Sequence, residues 1–143
     1  MFRQTTVLSL EGAMVVIQGA IAKAKAIKPP ECIAVVDTGG NLLAFSRMDD
    51  ARLLAQFSAI QKAVTAVSIH APTGHEPQEF GLNLALVTGG RSVNLQGGLP
   101  LTINGEVVGA IGVGSGTPEQ DVEVAQAGAS ALEATIANRE ART

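Results

Sequence analysis

The chain has 143 residues, 46% of them hydrophobic and only 16% charged, with a formal net charge of −3. That is enough for one domain with a real core, spanning 1–143, and too little for two ordinary ones. The balance is acidic, no basic run exists, and aromatics are 3% with no Trp or Tyr; a phosphate-neutralising patch and a base-stacking platform are both excluded, so nucleic acid is not an expected partner.

The first predicted element is a helix capped by Ser9. Ala13, Val16, Ile17, Ala20, Ala24 and Ile27 form one stripe at helical spacing, and Pro29-Pro30 ends it. Glu11 interrupts the apolar start of the chain, and no run is long enough to cross a membrane. Cys32 is the only cysteine, so no disulfide can close within the chain. This fits a reducing compartment, and a cytoplasmic location is expected. Cys32-Ile33-Ala34-Val35-Val36 is a short continuous apolar run suited to a buried strand. Asp37-Thr38-Gly39-Gly40-Asn41 is turn chemistry, and Leu42-Leu43-Ala44-Phe45 reads as the return strand, ending at Ser46-Arg47.

Asp49 or Asp50 is the expected cap of a second helix with the stripe Leu53, Phe57, Ile60, Val64 and Val67. Lys62 falls between stripe positions and is expected at the edge of the buried face or outside it. Pro and Gly break the pattern from Ser68 to Pro77. Beyond it, Pro77-Gln78-Glu79-Phe80 is expected to start a short helix, Thr88-Gly89-Gly90 to turn, and Ser92-Val93-Asn94-Leu95 to form a short strand.

Asn104-Gly105, with apolar runs on both sides, is a strong hairpin signal, because a type I′ turn needs positive φ at both central positions. The hairpin leads through Gly114-Ser115-Gly116 into a last helix. Thr117 is its N-cap, Pro118 its first residue, and Gln120 completes a capping box. Val122, Val124, Ala125, Ala129, Leu132 and Ile136 are its apolar positions, and it is expected to fray at Arg139 to Arg142. Free N–H groups at that helix start, beside residues with little side chain, are a candidate anion or carboxylate site. Tight hairpins make antiparallel strands, so the fold class is α+β: an antiparallel sheet covered by helices.

Several residues offer chemistry. His70 and His75 share one Pro/Gly-rich loop and are candidate ligands for a metal or haem. Asp37 is a candidate general acid or base, or the acceptor of an Asx turn. Arg47 can clamp a carboxylate or pair with Asp49 or Asp50. Gly112-Val113-Gly114-Ser115-Gly116 is not a dinucleotide fingerprint, because a hairpin precedes it where a βαβ unit is needed. Ser115 is not in a G-x-S-x-G elbow.

Taken together, the ordered segments resemble the GlcG/HbpS family, whose domain also closes PduO-type proteins. They are Ile33-Ala34-Val35-Val36-Asp37 with Gly39-Gly40; Arg47-Met48-Asp49 with Ala51; Lys62-Ala63 with Thr65-Ala66; Pro72-Thr73; Gly97-Gly98-Leu99-Pro100; and Val108 to Val113 leading to Glu119-Gln120-Asp121. The set covers nearly the whole chain. The family usually has Ser-Gly soon after the Gly-Val strand end, and here Gly114-Ser115-Gly116 is offset by one residue. The resemblance implies a profilin-like sheet flanked by helices, a homo-oligomer and, in some members, haem binding. The leading expectation is a small-molecule-binding protein with haem or a related planar ligand as cargo. Its pocket would form where Gly97, Gly98 and Pro100, and the Gly114, Ser115 and Gly116 corner, meet the loop of His70 and His75. The alternative is a catabolic enzyme acting on a small organic acid, with Arg47 holding a carboxylate and Asp37 or a histidine moving a proton.

Overall fold

A computed structural model describes all residues, Met1–Thr143. Helix α1 (Leu10–Ile27) is followed by strands β1 (Cys32–Asp37) and β2 (Leu42–Arg47). Helices α2 (Ala55–Ile69) and α3 (Gln78–Val87) come next, then β3 (Gly98–Ile103), β4 (Glu106–Gly114) and the long helix α4 (Pro118–Ala141). The four strands form one sheet in the order β2-β1-β4-β3, with every neighbouring pair antiparallel. The expected α+β architecture is the one observed.

Alternation along the two central strands decides which helix lies on which face. Ile33 and Val35 of β1 and Ile111 and Val113 of β4 point to one side and build the main core with α1 and α4. Cys32, Ala34 and Val36 of β1, with Ala110 of β4, point to the other side, where α2 packs. The second face is built of small side chains, so α2 comes close. A Cβ on Gly112 would overlap the carbonyl oxygen of Ala59 and lie 2.5 Å from the Ala63 nitrogen.

This closeness explains why the predicted stripe of α2 is the wrong face. The helix buries Ala55, Ala59, Ala63 and Ala66, together with Lys62, while Phe57 remains 60% exposed and Leu53, just before the helix, is also exposed. Large residues do not fit between α2 and a sheet this near. The cap differs too: α2 begins after Leu54, which makes no side-chain cap bond, so neither Asp49 nor Asp50 caps it.

Local chemistry elsewhere follows the sequence. Ser9 Oγ accepts the Gly12 N–H at 3.1 Å. Asn104 and Gly105 have φ of 52° and 79°, as the tight turn requires. The capping box at Thr117 and Gln120 is complete in both directions. Residues 92–95 form no strand, the short helix expected from Pro77 extends to Val87, and α4 continues to Ala141 where fraying was expected. No helix is long and apolar enough to cross a membrane.

Candidate functional site

The irregular segment between α2 and α3 is held by two sets of hydrogen bonds. Thr73 is buried and donates its Oγ1 hydrogen to the Leu95 carbonyl at 2.5 Å. The same oxygen accepts the Gly98 N–H at 2.9 Å, and the Thr73 N–H reaches the Gly98 carbonyl at 3.1 Å. Two residues past His75's own N-terminal neighbour, the Glu76 N–H donates to Asn94 Oδ1 at 3.1 Å and Asn94 Nδ2 donates back to the Glu76 carbonyl at 2.8 Å. His75 lies between these anchors, so its backbone is fixed at both sides while its side chain stays exposed. Fixed loops on a rigid scaffold are where binding groups are most often presented.

His75 borders a cavity of about 220 Å3. Pro72 and Thr73 of the loop form one wall, Gly97, Gly98 and Leu99 at the start of β3 a second, and Val122, Ala125 and Gln126 of α4 the third. Glycine is needed at Gly97, where φ is 122° and a Cβ would lie 2.6 Å from the Val113 carbonyl oxygen. A smaller cleft of about 120 Å3 lies on the other side of the loop, toward Thr65 and Ile69 of α2 and Gly81 and Leu84 of α3, and His75 borders it as well.

The remaining sequence candidates divide clearly. Gly97, Gly98 and His75 line the slot. His70 does not; it ends α2 in a left-handed conformation with φ of 54° and is exposed. Pro100 lies on the edge strand opposite Ala110 and outside the slot. Gly114 packs on Ala55 and Ser58, and Ser115 Oγ accepts the Arg52 N–H at 2.9 Å. The Gly114-Ser115-Gly116 corner is therefore filled by the chain itself. Asp37 Oδ1 accepts the Gly39 and Asn41 N–H groups at 2.9 Å each, the Asx turn of the β1–β2 hairpin. Arg47 is exposed and forms no ion pair with Asp49 or Asp50. It pairs in the ladder with Cys32, at the far end of β1 from Asp37, so the two candidate catalytic groups do not converge.

The start of α4 holds a carboxylate, and that carboxylate belongs to the chain. Asp121 Oδ1 accepts the Gly116 N–H at 3.0 Å. Asp121 Oδ2 receives the Lys62 ammonium at 2.9 Å, and Lys62 also donates to the Val113 carbonyl at 2.7 Å. Lys62 is 4% exposed and Asp121 3%. The expected edge position of Lys62 is thus corrected: the alanine face of α2 carries it inward, and Asp121 neutralises it. Glu31, just before β1, completes this cluster wholly out of water. Neither of its oxygens has a hydrogen-bond donor. Burial first, then the neighbouring Asp121 carboxylate, push its carboxyl up to about 8. Burial also raises the Cys32 thiol, with Arg47 pulling the other way and Glu31 adding to the rise. A thiol so placed is structural.

Residues 8–130 match the family model described as haem degrading protein HbpS-like. The chain belongs to this HbpS-like family. Among its relatives, the protein GlcG of Escherichia coli K12 is 37% identical over 108 residues, covering 75% of this chain and 81% of GlcG. A double mutant of HbpS from Streptomyces reticuli superposes with a TM-score of 0.82 at 35% identity, covering 92% of this chain and 90% of that one. A structure described as the PduOC:heme complex superposes with a TM-score of 0.80 at 27% identity, covering 88% and 95%. In this HbpS-like chain the fold accompanies a slot bordered by one histidine, His75, with the buried Lys62–Asp121 pair behind its glycine wall.

Proposed function

We propose that this chain binds haem or a related planar small molecule at the slot lined by Pro72, Leu99 and Val122, where His75 would be the residue that holds the haem iron. The observation that carries this reading is the doubly anchored loop that presents His75, whose ring is free of hydrogen bonds, beside an apolar slot. A haem asks for one axial donor and an apolar wall against its ring. His75 supplies the donor, and Pro72, Leu99, Val122 and Ala125 supply the wall. When bound, the haem would bring iron-centred ligand and redox chemistry. A relative solved as a haem complex supports the same reading.

The slot is smaller than the roughly 300–1,000 Å3 of ordinary ligand pockets. A planar ligand entering it keeps part of its face outside. A second copy of the chain is the natural cover, and large exposed apolar residues (Leu82, Leu86 and Val87 of α3, Phe57 of α2) support a homo-oligomer. The free buried Cys32 supports a cytoplasmic location.

The test is a haemin titration followed by absorbance and by backbone NMR. Saturable binding near one haemin per chain, with shifts concentrated at residues 73–75 and 97–99, is expected. A weak, unsaturable change with shifts scattered over the surface would sink the proposal.

A further inference from the structure

The least ordinary chemistry outside the slot lies directly behind its wall. A Cβ on Gly97 would lie 3.0 Å from Asp121 Cβ and 3.1 Å from Lys62 Nζ, so a single layer of backbone separates the slot from the ionic cluster. A Cβ on Gly116 would overlap Glu31 Oε1 and lie 2.9 Å from Asp121 Oδ1. The two carboxyl groups therefore meet across Gly116, and both press on glycine backbone.

The groups facing Glu31 can be named element by element. Asp121 comes from α4, Lys62 from α2, and the Gly116 N–H from the bend between β4 and α4. The Cys32 thiol follows it at the start of β1, with the Arg47 guanidinium of β2 beyond it. Lys62 is committed to Asp121 and to the Val113 carbonyl, and the Gly116 N–H to Asp121. With both carboxyls ionised, the cluster would hold two negative charges against one positive, with no donor for Glu31. A buried charge without a partner is very costly, and a carboxyl there takes up a proton instead. As an acid, Glu31 becomes a donor, and the acceptor in front of it is Asp121.

We propose that Glu31 and Asp121 form a buried proton-binding site, in which one proton held between the two carboxyls keeps the Gly97–Gly98 and Gly114–Gly116 backbone closed around them, and its loss loosens one wall of the slot. The proton that leaves goes to solvent, and the cluster then carries one net negative charge. The parts free to yield are the glycines, because the carboxyls are carried by the residue that leads into β1 and by α4. The link to the slot rests on the ligand reading above; the proton site itself does not. The raised Glu31 carboxyl agrees with this assignment.

The experiment is a 13C NMR titration of the Glu31 carboxyl in the intact chain, from about pH 6 to about pH 10, spanning the range between ordinary carboxyl and lysine values. The amides of Gly97, Gly98 and Gly116 are followed in parallel. A single step of Glu31 is expected, with the three amides moving at the same midpoint, and Glu31→Gln should remove the amide step. In Asp121→Asn the Glu31 midpoint should fall, because the neighbouring carboxylate that raises it is gone; this arm decides the matter even if Glu31→Gln does not fold. A Glu31 carboxyl that stays flat across the range, or an amide step that survives in Glu31→Gln, would overturn the proposal. Haemin affinity is then measured on both sides of the midpoint. A several-fold weakening on the alkaline side, absent in Glu31→Gln, is expected. Equal affinity on both sides would overturn the link to the slot, while no haemin binding at any pH would remove the ligand reading and leave the carboxyl titration to judge the proton site.

Discussion

Lys62 Nζ lies 2.9 Å from Asp121 Oδ2, and both side chains are almost wholly out of water. The pair joins α2 on one face of the sheet to the first turn of α4 at the sheet end. Removing one partner leaves the other as an uncompensated buried charge, at a cost of about 3–5 kcal/mol. Lys62→Met is expected to lower the unfolding free energy by that amount, read as a fall of the urea midpoint at unchanged slope. The double variant Lys62→Met with Asp121→Leu should recover part of the loss, though not the Gly116 N–H bond. A Lys62→Met midpoint equal to wild type would show the pair to be worth nothing.

The pH dependence of stability follows from Glu31. Its carboxyl titrates near 4.5 when unperturbed and near 8 in the fold. Between those values the native state holds a proton that the unfolded chain has lost. The stability that Glu31 contributes is therefore fully present below about pH 4.5, is lost as pH rises toward and through about 8, and levels off above it. Within the window this group contributes a slope of up to about 1.4 kcal/mol per pH unit. Urea unfolding at a series of pH values should show it in wild type and lose it in Glu31→Gln. An identical profile in the two proteins would contradict the assignment.

The close approach of α2 depends on Gly112. Gly112→Ala would place a methyl group against the Ala59 carbonyl and the Ala63 nitrogen, and both are backbone of a helix that cannot step aside alone. The cost should exceed the roughly 1–3 kcal/mol of ordinary overpacking. Thermal unfolding measures it, and a shift of under a degree or two would show that α2 floats more freely than its geometry implies.

Thr73 is predicted to matter through its hydroxyl. Thr73→Val keeps the shape but leaves the Leu95 carbonyl and the Gly98 N–H without their partner. A loss of about 1–3 kcal/mol is expected, together with weaker haemin binding, because the same two bonds set the slot wall. Thr135→Val is the comparison: its hydroxyl only bonds back within α4 to Ala131, and the change should be near neutral.

The elements with local signals could be read from the chain. Ser9, Asn104-Gly105 and the Thr117–Gln120 box each fix their own backbone, and each stands where those residue types require. The face of α2 could not be read from the large residues, because the deciding fact is a distance to a strand fifty residues away. The alanine spacing Ala55, Ala59, Ala63 and Ala66 was the available signal, with Lys62 on the same face. The ionic cluster was illegible for the same reason: Glu31, Lys62 and Asp121 meet only in three dimensions, and each alone resembles a surface charge. Of the slot, Gly97, Gly98 and the histidine loop were legible as glycine-rich and turn-rich segments. Which of His70 and His75 borders the slot depends on the Thr73 and Asn94 bonds, which pair residues about twenty positions apart.

The most direct measurement is a haemin titration of the wild-type chain beside His75→Ala and His70→Ala. A saturable Soret band is expected in wild type and in His70→Ala, with its loss or marked weakening in His75→Ala and the fold intact by circular dichroism. Equal spectra and equal affinity in all three proteins would contradict the assignment of His75 and of the slot it borders.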